Sequence, residues 1–259
     1  MSSDRWKYAF ASVQGVSHQR VNAPCADCSY CDVLPYGNRT ALVALASDGA
    51  GSAKKAEAAS ALACRLFLNE ISLLFGTGGS PADITREFVE HAVIKFQSEA
   101  ATFADTERLG VVEYACTFIA AIVSEDAATV IQLGDGGTVT RQGNDCEFSL
   151  VFWPQHGEYV NDTVFLTDEA ALKSLEYKLI EHEINEVALF TDGLERMVLD
   201  FAKKTPHDPF FESMLKPLRR ESSGHIEDLS HSLTVFLDSS RVNQHTHDDK
   251  TLILASRLS

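Results

Sequence analysis

The chain has no uninterrupted apolar run near the roughly 20 residues that a membrane-spanning helix requires. Its opening residues, MSSDRWKYAF, lack an apolar stretch followed by a small-residue cleavage site. Both absences lead to the expectation of a cytoplasmic protein with no membrane partner. Cysteine is scarce, with 6 in 259 residues, too few for a disulfide scaffold, and without an export signal reduced thiols are expected. Positive charge is also in short supply. The 22 Lys and Arg face 37 Asp and Glu for a net charge of −15, which excludes broad, sequence-independent attraction to nucleic acid or anionic lipid. There is no internal repeat, low-complexity tract or Pro/Ser-rich linker, so residues 1–259 read as a single domain.

What is present is an ordinary globular balance, 45% apolar and 23% charged. Strand-length runs rich in apolar and β-branched residues occur at 8–13, 40–46, 115–123, 129–133, 148–152, 163–166, 186–190 and 251–255. Residues 53–75 carry Ala56, Ala59, Leu62, Ala63, Leu66, Ile71 and Leu74 along one stripe and read as a long buried helix. A second helix is expected from Ser80 as N-cap and Pro81 in the first position, through Phe88, Val89, Ala92, Phe96 and Ala100. Further helices are expected at 168–182, 193–203 and 226–237. Two long helices after the early strands, then strands in close succession, favour an α+β arrangement over regular βαβ winding.

Three strand candidates end in Asp-Gly: Asp48-Gly49, Asp135-Gly136 and Asp192-Gly193. One such dipeptide alone is ordinary turn chemistry. A further acidic pair, Asp248-Asp249, immediately precedes the closing strand. If these strand ends meet, the carboxylates repel unless cations neutralise them, and an all-oxygen set suits hard ions such as Mg²⁺ or Mn²⁺. Other signals are weaker. The loop 48–55 has neither Gly-Lys-Ser/Thr nor a dinucleotide glycine spacing, and Lys54 and Lys55 read as solvated. Cys25, Cys28 and Cys31 form a C-x-x-C-x-x-C run with no evident fourth ligand, and His245 and His247 read as loop residues beside a hard-ion centre.

Ala46-Ser-Asp48-Gly49-Ala-Gly51-Ser, Ala115-Cys-Thr117, Gly134-Asp135-Gly-Gly, Thr191-Asp192-Gly193 and Asp248-Asp249-Lys-Thr251 come in an order that resembles the protein phosphatase 2C (PPM) family over nearly the whole chain. Gly15-Val-Ser-His18 and Pro24-Cys-Ala-Asp27 resemble a compact bacterial branch of it. The resemblance implies two packed antiparallel β-sheets flanked by helices on both outer faces. It also implies a metal-dependent protein-serine/threonine phosphatase acting on phosphorylated protein. Asp48 would bridge two Mn²⁺ or Mg²⁺ ions, the Gly49 carbonyl would join one of them, and Asp192 and Asp248 would bind the other. Asp135 would help Asp192 with a third, weaker ion, Asp27 would hold a metal-bound water, and Asp249 would lie behind the ligands. A hydroxide bridging the ions would attack phosphorus without a phosphoenzyme, and no cysteine would be a nucleophile.

The chain departs from the family pattern in three places. His18 stands where many members have an arginine that grips the phosphate, and Arg20 is the runner-up for that contact. Gly136-Gly137 replace the usual Ser-Arg after Asp135. Ala50 occupies the place of a histidine proposed to protonate the leaving alkoxide in eukaryotic members, so that proton would come from His18 or from a metal-bound water. Residues 157–161 followed by 163–167 correspond to a flap or to a structural turn. These departures leave a second expectation open, a non-catalytic binding or regulatory module that keeps the fold. A third is a phosphatase serving an anti-sigma-type regulator.

Overall fold

The computed structural model describes residues 6–143, 146–155 and 163–258. In chain order the strands are β1 (Lys7–Val13), β2 (Asp27–Tyr36), β3 (Arg39–Asp48), β4 (Phe118–Val123), β5 (Ala128–Leu133), β6 (Gly137–Arg141), β7 (Ser149–Leu150), β8 (Glu176–Ile180), β9 (Glu186–Phe190), β10 (Leu199–Asp200), β11 (Thr205–Pro206), β12 (Gly224–His225) and β13 (Lys250–Ser256). The α-helices are α1 (Val16–Val21), α2 (Ala56–Gly76), α3 (Arg86–Glu107), α4 (Ala171–Ser174), α5 (Glu195–Val198), α6 (Asp208–Leu218), α7 (Glu227–Leu237) and α8 (Ser240–Asn243). One sheet has the order β12-β1-β13-β9-β6-β7 and the other β2-β3-β4-β5-β8, with β10 and β11 as a separate ribbon. Neighbouring strands are antiparallel apart from a two-residue parallel contact between β1 and β12.

The expected α+β sandwich is the architecture observed, and the pleat of single strands shows why. Along β3, Ala41, Val43 and Leu45 join a core under α2 and α3, where Leu62, Phe67, Val89 and Phe96 pack. The intervening Leu42, Ala44 and Ala46 point the other way, into the layer between the sheets with Ile119, Val187, Leu189 and Ile253. On the far sheet, Ala188, Phe190, Leu252 and Leu254 pack under α6 and α7 against Phe211, Leu215, Leu233 and Leu237. A strand covered on both faces needs apolar residues at every position, hence the continuous run in β3. Helix α2 is long and apolar enough to cross a membrane by length and composition, yet its Leu62, Leu66, Phe67 and Ile71 belong to the outer core.

Several element expectations are corrected. The helix expected at 168–182 is only α4, after which the chain runs as strand β8. Tyr177 packs on the outer core as a strand residue. The expected helix from Ser80 divides: Ser80 and Asp83 close a capping box on a single 3₁₀ turn, and α3 starts afresh with Thr85 as its N-cap. The helix expected at 193–203 shrinks to α5, and residues 163–166 form no strand. Strands β2, β6 and β8 and helix α6 were not anticipated.

Candidate active site

Sheet register brings the acidic residues to one end of the sandwich. In the first sheet the last residue of β9, Phe190, lies opposite Gly137 at the start of β6 and Leu252 near the start of β13. Asp135, Asp192 and Asp248 therefore sit just beyond neighbouring strand ends. In the second sheet the first residue of β2, Asp27, pairs with the last residue of β3, Asp48. Antiparallel pairing alone thus gathers five acidic positions separated by up to 221 residues along the chain.

Carboxylate oxygens of Asp48, Asp135 and Asp192 all lie within 4.8 Å of one another, each on a half-buried residue. Asp248 is exposed, but its charge acts on both Asp48 and Asp192. Asp27 lies behind, 8% exposed, its Oδ2 accepting from the hydroxyls of Thr191 at 2.8 Å and Thr251 at 2.7 Å. Burial pushes the Asp27 carboxyl up to about 6, against the hydroxyl bonds that lower it. Asp48 is held well above the usual carboxylate range by burial first, then by Asp27 and Asp192. Asp192 is raised by burial and then by Asp135 and Asp248.

The backbone around the cluster is tightly specified. The Asp48 N–H donates to Thr117 Oγ1 at 3.1 Å, and the Thr117 N–H returns a bond to the Asp48 carbonyl at 2.8 Å. Gly49 donates to the Ala26 carbonyl at 3.2 Å, and a Cβ at Gly49 would overlap the Ala56 backbone that opens α2. A Cβ at Gly193 would overlap the Asp249 carbonyl oxygen. Asp135 accepts from Thr163 Oγ1 at 2.6 Å.

His18 lies on α1 and is partly buried, with Nδ1 2.8 Å from Asp249 Oδ2. Arg20 is exposed on the same helix. Ala50 is buried and donates its N–H to the Ala115 carbonyl. His245 and His247 are exposed. Among the described residues no cysteine falls in a metal-holding group, and burial is the main force raising the Cys25, Cys31 and Cys116 thiols. Lys54 and Lys55, expected to be solvated, pair with Glu113 at 3.0 Å and Glu107 at 2.7 Å. Residues 157–161 lie outside the described residues.

Sequence reasoning missed Thr191, Thr251 and Thr163 as carboxylate partners. Thr191 precedes Asp192 and Thr251 follows the Asp-Asp-Lys run, so their positions in the motifs were the available signal. The cluster suits hard cations on its own chemistry. Its donors are all oxygen, its members raise one another's proton affinity, and Asp27 Oδ1 is buried with no hydrogen-bond partner. Positive charge among these groups relieves both the repulsion and the unmet acceptor.

Similarity to known proteins extends over nearly the whole chain. The sequence profile of the family described as Protein phosphatase 2C matches residues 14–238. Serine/threonine-protein phosphatase 3 of Escherichia coli (strain K12) is 32% identical over 251 residues, 96% of this chain and 98% of the relative. The solved structure of serine/threonine phosphatase Stp1 from Staphylococcus aureus superposes with a TM-score of 0.64 at 17% identity, covering 96% of this chain and 94% of that one. RsbX in complex with magnesium gives 0.57 at 15% identity, covering 99% and 97%. At these identities the two structures speak to fold.

Proposed function

The chain belongs to the protein phosphatase 2C family of metal-dependent protein-serine/threonine phosphatases, and from that premise we propose how its own residues divide the work. Asp48, the Gly49 carbonyl, Asp192 and Asp248 hold two divalent ions, Mn²⁺ or Mg²⁺, and Asp135 with Asp192 forms a weaker third position. The observation that carries this reading is the convergence of Asp48, Asp135 and Asp192 oxygens within 4.8 Å. The magnesium in the RsbX structure supports the choice of a hard ion. Such ions, when bound, acidify water and neutralise charge on phosphoryl oxygens, which suits hydrolysis of phosphoserine and phosphothreonine in protein substrates.

The protein's own part is placement. Asp27, held by two threonine hydroxyls, keeps an oxygen free to orient water behind Asp48. Thr117 and Gly49 fix the backbone on either side of Asp48, so the carboxylate is aimed before ligands arrive. His18 contacts the phosphoryl group in place of the family's arginine. The test is hydrolysis of a phosphoserine peptide with Mn²⁺ added after chelator treatment. Activity that requires Mn²⁺ and disappears in Asp48→Asn and Asp192→Asn supports the reading. Hydrolysis that persists without metal contradicts the reading, and intact Mn²⁺ binding without hydrolysis favours the non-catalytic module instead.

A further inference from the structure

Asp249 is 1% exposed, and two backbone N–H groups, the His18 ring and the Cys25 thiol meet its carboxylate. Oδ1 accepts from the Gly15 N–H at 2.5 Å, Oδ2 accepts from the Ala26 N–H at 2.5 Å, and His18 Nδ1 lies 2.8 Å from Oδ2. An ionised carboxylate can only accept, so with Asp249 ionised the hydrogen of the bond to His18 sits on Nδ1. Nε2 is then the ring nitrogen that Asp249 leaves free. Helix α1, which carries His18, has no buried residues. Its ties are polar: Gly15 and His18 to Asp249, and the Ser17 N–H and hydroxyl to the His247 carbonyl at 2.9 and 2.6 Å. These tethers fix the orientation of His18 on a helix that buries none of its side chains fully. Asp249 also adjoins Asp248 and lies against Gly193, so the same residue links α1 to the loops bearing the acidic cluster.

We propose that Asp249 is the positioning residue of His18: it fixes the ring's tautomer and plane so that Nε2 faces the substrate phosphoryl group. This rests on the phosphatase reading above and adds a residue to it. With Nδ1 committed to Asp249, the contact to the substrate falls to Nε2.

Three measurements test it. In a double-mutant cycle on the Mn²⁺-loaded enzyme, His18→Ala and Asp249→Asn each lower kcat/KM for a phosphoserine peptide by on the order of ten- to a hundredfold. The double variant falls no further than the weaker single variant. Losses that multiply overturn the proposal. The second arm does not depend on Asp249 variants folding. His18→Asn keeps an amide donor near the Nδ1 place and His18→Gln keeps one near Nε2, so Gln retains more activity than Asn. Wild-type activity in His18→Asn shows that His18 merely satisfies Asp249 and overturns the proposal. Third, nitrogen-15 NMR of the histidine rings finds a hydrogen on His18 Nδ1 whatever the state of Nε2, and a ring with its hydrogen on Nε2 alone contradicts the proposal. A wild-type protein inactive with Mn²⁺ sinks the phosphatase reading, while the NMR result still decides the Asp249–His18 pairing.

Discussion

Asp27 and Asp48 stand directly opposite each other across the β2–β3 pair. Like charges at cross-strand positions destabilise a sheet, and here one member is buried with a lone unpartnered oxygen. The fold therefore stores unfavourable electrostatics at one end of the sandwich, and bound cations relieve it. Metal affinity, proton uptake and metal-free stability are consequently linked.

Removing a charge from the cluster stabilises the protein without metal and abolishes the response to metal. We expect chelator-treated Asp48→Asn to melt a few degrees above chelator-treated wild type, since each kcal/mol is worth about 2–4 °C in a domain of this size. Added Mn²⁺ raises the wild-type Tm and leaves that of the variant nearly unchanged. Differential scanning fluorimetry with and without Mn²⁺ checks both halves.

Proton linkage has a defined direction. Asp27 has a folded-state value of about 6 against an ordinary 3.8, and Asp48 and Asp192 are raised as well. The metal-free folded state thus binds more protons than the unfolded chain. The stability these groups contribute is present in full below about pH 4 and is lost as pH rises through about 6 and beyond. Metal binding near pH 6 releases protons, so calorimetric heats of Mn²⁺ binding differ between buffers of different ionisation enthalpy. The Mn²⁺-induced rise in Tm is larger at pH 7.5 than at pH 5.5. Equal heats in all buffers would show that the cluster is already ionised.

Gly193 and Gly51 separate packing from motif resemblance. A Cβ at Gly193 would overlap the Asp249 carbonyl, whereas a Cβ at Gly51 meets nothing within 4 Å. Gly193→Ala is expected to cost about 1–3 kcal/mol through forced displacement and to weaken Mn²⁺ binding by moving the 248–249 segment. Gly51→Ala should alter neither. Denaturant unfolding and Mn²⁺ titration of both variants provide the comparison.

Far from the site, Glu186 is fully buried between two arginines. It bonds Arg219 at 2.7 and 3.1 Å, pairs with Arg141, and accepts from Ser256 Oγ at 2.8 Å. Glu186→Ala leaves Arg141 and Arg219 to share the more exposed Glu212 and should cost on the order of 3 kcal/mol. Because β9 also leads into Asp192, activity measured well below the melting temperature is the informative companion. Retained kcat with lowered stability marks Glu186 as structural.

The acidic centre was legible because Asp-Gly at a strand end leaves a mark in the sequence, and because the apolar runs of β3, β9 and β13 are covered on both faces. Strand β2 was not legible. Its sequence DCSYCDVLPY alternates weakly, since Asp32 is kept as a partner for the Tyr8 hydroxyl at 2.6 Å and Pro35 sits near the end. Strand β8 was lost because Glu176-Tyr-Lys-Leu-Ile also suits a helix, and only pairing with β5 decides between them. Asp249 was visible as a carboxylate, but its bonds to Gly15, His18 and Ala26 connect residues more than 220 positions apart and follow from tertiary structure alone.

The most direct measurement is isothermal titration of Mn²⁺ into chelator-treated protein at pH 7.5, followed by phosphoserine-peptide hydrolysis on the same samples, for wild type and Asp192→Asn. Two ions bound by wild type, activity that follows their occupancy, and loss of both in the variant are expected. A wild-type protein that binds no Mn²⁺ or Mg²⁺, or a variant that binds and hydrolyses as wild type does, would contradict the assignment of the Asp48, Asp135 and Asp192 cluster as a metal centre.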